Sequence, residues 1–198
     1  MLGAGAWLAF AGANGVARSL GYQLGRGFEY GSLYSGVQML AAKLVGAEIG
    51  IVRDHAAFSS ITPWSARLGA LVLPIQLALL LVVCATFVRR GMREGVRYSG
   101  AAVLAFVIGG KVFSPQYLIW LVPYIAALEG PIAARGRRLF AAGCLATLLA
   151  PAGLGIFSRT DLGIILAYNA KNLLFAWLLL VLLFGPAAEG EASPVPEP

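Results

Sequence analysis

Hydrophobic residues in this chain fall in long unbroken runs, and polar positions are confined to short breaks between them. The run from 66 to 88, ARLGALVLPIQLALLLVVCATFV, is the clearest. It is long enough to cross a hydrocarbon core of about 30 Å, which takes roughly 20 residues. Pro74 permits a kink within it, and Gln76 should face other helices rather than lipid. Residues 98–113 and 116–128 are shorter runs on either side of Ser114, Pro115 and Gln116, expected as two short or tilted spans with a re-entrant pair as the alternative. Residues 139–157, interrupted by Pro151 and Gly153, form a further span, and residues 162–184 the last.

The pattern therefore predicts an all-α fold, a polytopic integral membrane bundle with about five spans over residues 66–184. Residues 18–65 are expected as an extracytoplasmic loop carrying an interfacial helix. Residues 1–17, MLGAGAWLAFAGANGVA, are apolar but short for a span and lack the charged start of a secretory signal. They read as the remnant of a longer helix or as a short membrane anchor. The tail, 185–198, holds four prolines and three glutamates and is expected to be disordered and cytoplasmic.

Composition fixes the solvent. With 59% hydrophobic and 12% charged residues over 198 positions and a mean hydropathy of +0.80, the chain is more apolar than a soluble domain of its length. A formal charge of +6 would suggest nucleic acid in a soluble protein. Here the cations cluster in short loops between apolar spans, so no nucleic-acid partner follows. Cys84 and Cys144 lie within apolar runs with no metal-ligand spacing and read as small packing residues. The single histidine, His55, has no partners in sequence for a triad or a metal site.

Loop charges set an orientation. Arg89, Arg90, Arg93 and Arg97 mark one connection as cytoplasmic, and Arg135, Arg137 and Arg138 mark the next but one. The turn at 111–116, the connection around Arg159 and Asp161, and residues 18–65 then face outward.

Three polar clusters could carry function, the first two on that outer side. The first is Arg26, Glu29, Tyr30, Ser32 and Tyr34, at the start of an expected helix. Arg26 could hold a phosphate by paired hydrogen bonds, or it could pair with Glu29 at helical spacing on a surface helix. The second is KVFSPQYLIWLVP at 111–123, where Lys111 supplies a point charge and Gln116 an adaptable donor and acceptor, unless the segment is only a hairpin turn with a snorkelling lysine. The third is Asn169, Lys171 and Asn172 inside the last run. Lys171 should face the bundle interior or reach outward, or it caps a shorter span from Leu173.

The Ser-Pro-Gln-Tyr core of that second segment (114–117) resembles the late-helix motif of glycosyltransferase family 87, membrane enzymes of GT-C architecture that use polyprenyl-phosphate sugars, often mannose. Arg26 and Gly27 through Ser32, and Lys171, Asn172, Leu173 and Leu174, resemble the same family in the same order. The resemblance covers most of 18–184 and corresponds to the C-terminal part of a family member. It implies a hexosyltransferase at the cell membrane whose partners are a polyprenyl-phosphate sugar donor and a lipid or glycan acceptor, with no cofactor or metal. The substrate-binding residues it implies are Arg26, Glu29, Ser32, Lys111, Ser114, Gln116, Tyr117, Lys171 and Asn172. The chain departs from the family in carrying Gly31 where an acidic residue often precedes Ser32, and Lys171 where arginine is frequent. The catalytic carboxylate of such enzymes is generally in the first extracytoplasmic loop, so it is expected upstream of these residues. A transporter or flippase for anionic lipids and a non-catalytic membrane scaffold share the same pattern of spans and remain alternatives.

Overall fold

The computed structural model describes residues 25–54, 57–90, 94–152 and 159–186, with isolated positions between Gly12 and Gly21. The expectations for most of 1–17, for His55, for Arg93, for Gly153 and for 187–198 lie outside the described residues.

Residues 28–61 differ from the expected loop with one helix. They fold as β1 (Phe28–Glu29), α1 (Leu33–Val45), β2 (Gly50–Asp54) and β3 (Ala57–Ile61). β3 lies between β1 and β2 and is antiparallel to both, with Phe28 opposite Ser60 and Val52 opposite Ser59. The all-α expectation is corrected to that extent: the chain is mostly helical with one small sheet. Five-residue strands rich in Ile, Val and Phe escape a reading scaled to spans of roughly 20 residues.

Glu29 sits in β1, not on a helix, which removes the helical Arg26–Glu29 pairing as an explanation of that cluster. α1 starts only after Ser32, whose extended backbone and side-chain oxygen, accepting from Ser35 N–H at 3.2 Å, make it the N-cap. It stops at Gly46, whose φ of 68° is the left-handed conformation that glycine tolerates best. Gln38 on the buried face of α1 ties this unit to the start of the next helix. Its Nε2 donates to Ser60 O at 3.0 Å, while its Oε1 accepts from Thr62 Oγ1 at 3.1 Å and Ser65 Oγ at 2.9 Å. A buried amide left without such partners would cost roughly 1–3 kcal/mol.

Ser65 opens α2 (Ser65–Arg90), and α3 (Gly95–Ile108) comes after it. Gln76 faces its neighbour, donating to Phe106 O at 2.8 Å near the end of α3. α3 stops short of the expected 98–113 span at Gly109 and Gly110, where the chain passes close to α2: a Cβ on Gly109 would meet Gln76 and Leu79 at 3.3 Å. The 116–128 stretch forms no single span. It is a six-residue 3-10 helix, Pro115–Trp120, and the five-residue α4 (Val122–Ala126), because Pro115 and Pro123 each remove a backbone donor and start a new turn. These two pieces fall short of the roughly 20 residues a crossing needs.

α5 (Ala133–Ala152) starts earlier than expected, so Arg135, Arg137 and Arg138 lie in its first turns rather than in a loop. Arg137 donates to Leu128 O at 2.7 Å, tying the start of α5 to the preceding connection. α6 (Leu162–Phe184) matches the expected last span. Among the described residues, α2 and α6 are the two helices long and apolar enough to cross a membrane.

α6 is the packing axis, in contact with α1, α3 and α5. Phe175, Leu178 and Leu182 from α6 are buried with Leu104 of α3 and Leu121. Gly143 of α5 lets Phe175 approach so closely that a Cβ there would lie 2.7 Å from the ring. Arg97 is not a loop cation but a buried residue at the start of α3. Its guanidinium donates to the carbonyls of Val181, Leu182, Gly185 and Pro186 at the end of α6 and pairs with Glu94 at 2.7 Å. The carbonyls left open at the end of a helix thereby gain a charged donor. Cys84 is exposed on α2 and Cys144 half-buried on α5, so only the second packs as expected.

Candidate functional site

The break after α3 is joined to the sheet through backbone. Glu29 N–H donates to Lys111 O at 2.9 Å, so β1 bonds β3 on one side and the 111–114 segment on the other. Tyr30 N–H adds a bond to Phe58 O at 2.7 Å, and Tyr30 OH donates to Arg159 O just before α6. These bonds bring three distant segments around one cavity of about 640 Å³.

Its walls gather residues expected from all three sequence clusters: Arg26 and Glu29, then Ser114, Gln116 and Tyr117, then Lys171. Arg159 and Thr147 complete its polar lining. Ser114 ends the extended segment in the β region, and Pro115 opens the 3-10 helix that presents Gln116 to solvent and stacks Tyr117 on Trp120. Arg159 lies over the ring of Phe58, 3.5 Å from its centre.

Lys171 is almost wholly buried, at 1% exposure, in the middle of α6 rather than at the start of a shorter helix. Its Nζ donates to Gly31 O at 2.6 Å and lies 3.8 Å from the centre of the Phe113 ring. A buried cation needs such company, since taking an ammonium out of water without partners is costly.

Glu29 is the only carboxylate on the cavity wall among the described residues. One of its oxygens, Oε2, is buried without a hydrogen-bond partner. Burial raises the carboxyl above its ordinary range, and Arg26, Lys171 and the backbone N–H of Phe113 act in the opposite direction. Burial also raises the Tyr30 hydroxyl, with Tyr168 adding to the shift. Tyr30 and Tyr168 meet edge to face, 4.9 Å between ring centres. They form an aromatic wall beside the charged groups.

Three expected site residues lie elsewhere. Ser32 is the buried cap of α1, and Asn172 donates to Ser32 O at 3.2 Å. Both hold the scaffold rather than line the cavity. Lys111 turns away to a separate, smaller cavity that it shares with Arg26.

Arg159 and Thr147 were missed in the sequence. The outward placement of the Arg159 connection was the one signal available for the first, and Thr147 had none, being a single hydroxyl in an apolar run. Among the described residues no group of three His, Cys, Asp or Glu side chains gathers to hold a metal.

Three cations, one carboxylate, an amide and the hydroxyls of Ser114, Thr147 and three tyrosines line a cavity that can bind a ligand joining an anion to a hydroxyl-rich group. Comparison with known protein families, with curated proteins and with solved structures returns no match for this chain.

Proposed function

We propose that this chain belongs to a membrane glycosyltransferase, a hexosyltransferase with mannose as the foremost sugar, that draws on a polyprenyl-phosphate-linked donor. The observation that carries the reading is the convergence of Arg26, Arg159 and Lys171 with Glu29, Gln116 and Ser114 on one cavity. The resemblance of the Ser114–Tyr117 core to glycosyltransferase family 87 agrees with it.

The chemistry calls for such a wall. In a polyprenyl-phosphate sugar the phosphate is a singly charged diester, and it leaves as a more highly charged monoester when the acceptor hydroxyl, giving its proton to a carboxylate base outside this wall, attacks the sugar carbon. Cations fixed beside it stabilise the transition state more than the ground state, which is what accelerates a reaction. Gln116 and Ser114 would orient phosphate oxygens or sugar hydroxyls, and Glu29 would accept from a sugar hydroxyl. In this reading α2 and α6 belong to a polytopic bundle whose cavity faces the extracytoplasmic side. The leucines that α2 exposes, at 71, 73, 77 and 81, meet lipid, and the broken 115–126 stretch is re-entrant. The acceptor is a lipid or a glycan.

Membranes containing the chain should retain radiolabelled polyprenyl-phosphate mannose. Gln116→Ala and Arg159→Ala should each reduce retention roughly tenfold, the loss expected for a hydrogen bond to a charged group. Retention unchanged in both variants would sink the reading.

A further inference from the structure

The smaller cavity, about 420 Å³, shares Arg26 with the first. Both charged residues on its wall, Arg26 and Lys111, are cations. Small residues, Gly25, Gly27, Ser65, Ala66 and Gly69, make up much of the remaining wall, and Phe28 and Ile61 give it apolar surface. Lys111 Nζ lies 3.8 Å from where a Cβ of Gly69 would be, which places the ammonium against the first turns of α2. Ser65 Oγ is already committed to Gln38 and to Thr62 N–H, so the cavity's polarity comes chiefly from the two cations.

We infer that this second cavity is a binding site for a phosphate-bearing anion, sharing Arg26 with the first. An arginine and a lysine share the wall of a volume that can admit a small anionic group, and both side-chain types pair with phosphate oxygens. The positive end of the α2 macrodipole reinforces them. Because α2 is one of the two helices able to cross a membrane, the site would sit where lipid head groups lie. A phospholipid phosphodiester is therefore the nearest source, and free phosphate the other.

Binding to the purified chain in detergent, read by native mass spectrometry, tests it with phosphatidylglycerol, inorganic phosphate and uncharged diacylglycerol as probes. Phosphatidylglycerol should bind and diacylglycerol should not. Lys111→Gln removes the charge, and Gly69→Leu fills the cavity while favouring the helix. Each should weaken binding roughly tenfold, with thermal unfolding no lower than in the parent, whereas Arg159→Ala in the first cavity should leave it unchanged. Inorganic phosphate bound with the same dependence on Lys111 and Gly69 would support the site and identify a soluble source. Equal binding of diacylglycerol, binding indifferent to both variants, or an equal loss in Arg159→Ala would overturn the inference.

Discussion

Lys171 Nζ donates to the carbonyl oxygen of Gly31 at 2.6 Å, joining residues 140 positions apart. The bond fixes the middle of α6 against the turn between β1 and α1. The glycine eases the fit, since a Cβ at position 31 would crowd Phe113 O at 3.3 Å and touch the ammonium at 3.5 Å. The same cation acts on Glu29 across the cavity wall.

Lys171 and Glu29 are therefore coupled. Lys171→Met leaves Gly31 O without its donor and Glu29 without a compensating charge, and should destabilise the protein by about 1–3 kcal/mol. In a Glu29→Gln background the same change should cost about 1 kcal/mol less. Thermal unfolding of the four proteins of this cycle in detergent measures the difference. Strict additivity would mean that the two groups do not interact.

Glu29 also sets a pH dependence. Its folded value is raised above the ordinary 4.5, chiefly by burial, so the folded state holds the proton more tightly than the unfolded state. The stability it contributes is fully present below that ordinary value and is lost as pH rises through the folded value. Glu29→Gln cannot titrate. Its stability relative to the parent should thus increase from about pH 4 upward, and a difference that stays flat across that range would show that burial does not dominate.

The seam between α5 and α6 depends on Gly143. Alanine would favour the helix by up to about 1 kcal/mol, but its Cβ would meet the Phe175 ring at 2.7 Å. Overpacking of this kind typically costs about 1–3 kcal/mol. Gly143→Ala should therefore lower the unfolding temperature, and Gly143→Ala combined with Phe175→Leu should recover part of the loss.

At the other end of α6, Arg97 holds several carbonyls and Glu94 at once. Arg97→Ala removes a charged donor from these carbonyls and an ion-pair partner from the half-buried Glu94, and should destabilise by about 1–3 kcal/mol. Lysine should not rescue it, because a single ammonium cannot reproduce the guanidinium fork. Unfolding in chemical denaturant would expose either failure.

The bounds of the last helix were legible because a long apolar run has few alternatives. The clusters at Arg26–Glu29, Ser114–Tyr117 and Lys171 were legible too, since charge within apolar surroundings is costly and stands out. Short elements and long-range bonds escaped. The strands carry too few residues to shift a hydropathy window, and the break at 111–117 joins the sheet through main-chain bonds that no side-chain pattern reveals. Arg97 looked like one cation of a cytoplasmic loop because its acceptors are carbonyls of a helix about 85 residues later. Lys111 and Lys171 looked equivalent as cations, and only geometry assigns them to different cavities.

Binding of polyprenyl phosphate to the purified chain, set against the uncharged polyprenol of the same length, tests the central claim most directly. The account predicts saturable binding that requires the phosphate and falls roughly tenfold in Arg159→Ala and in Gln116→Ala, with Lys111→Gln close to the parent. Equal binding of the alcohol, or phosphate binding that neither Arg159 nor Gln116 affects, would contradict it.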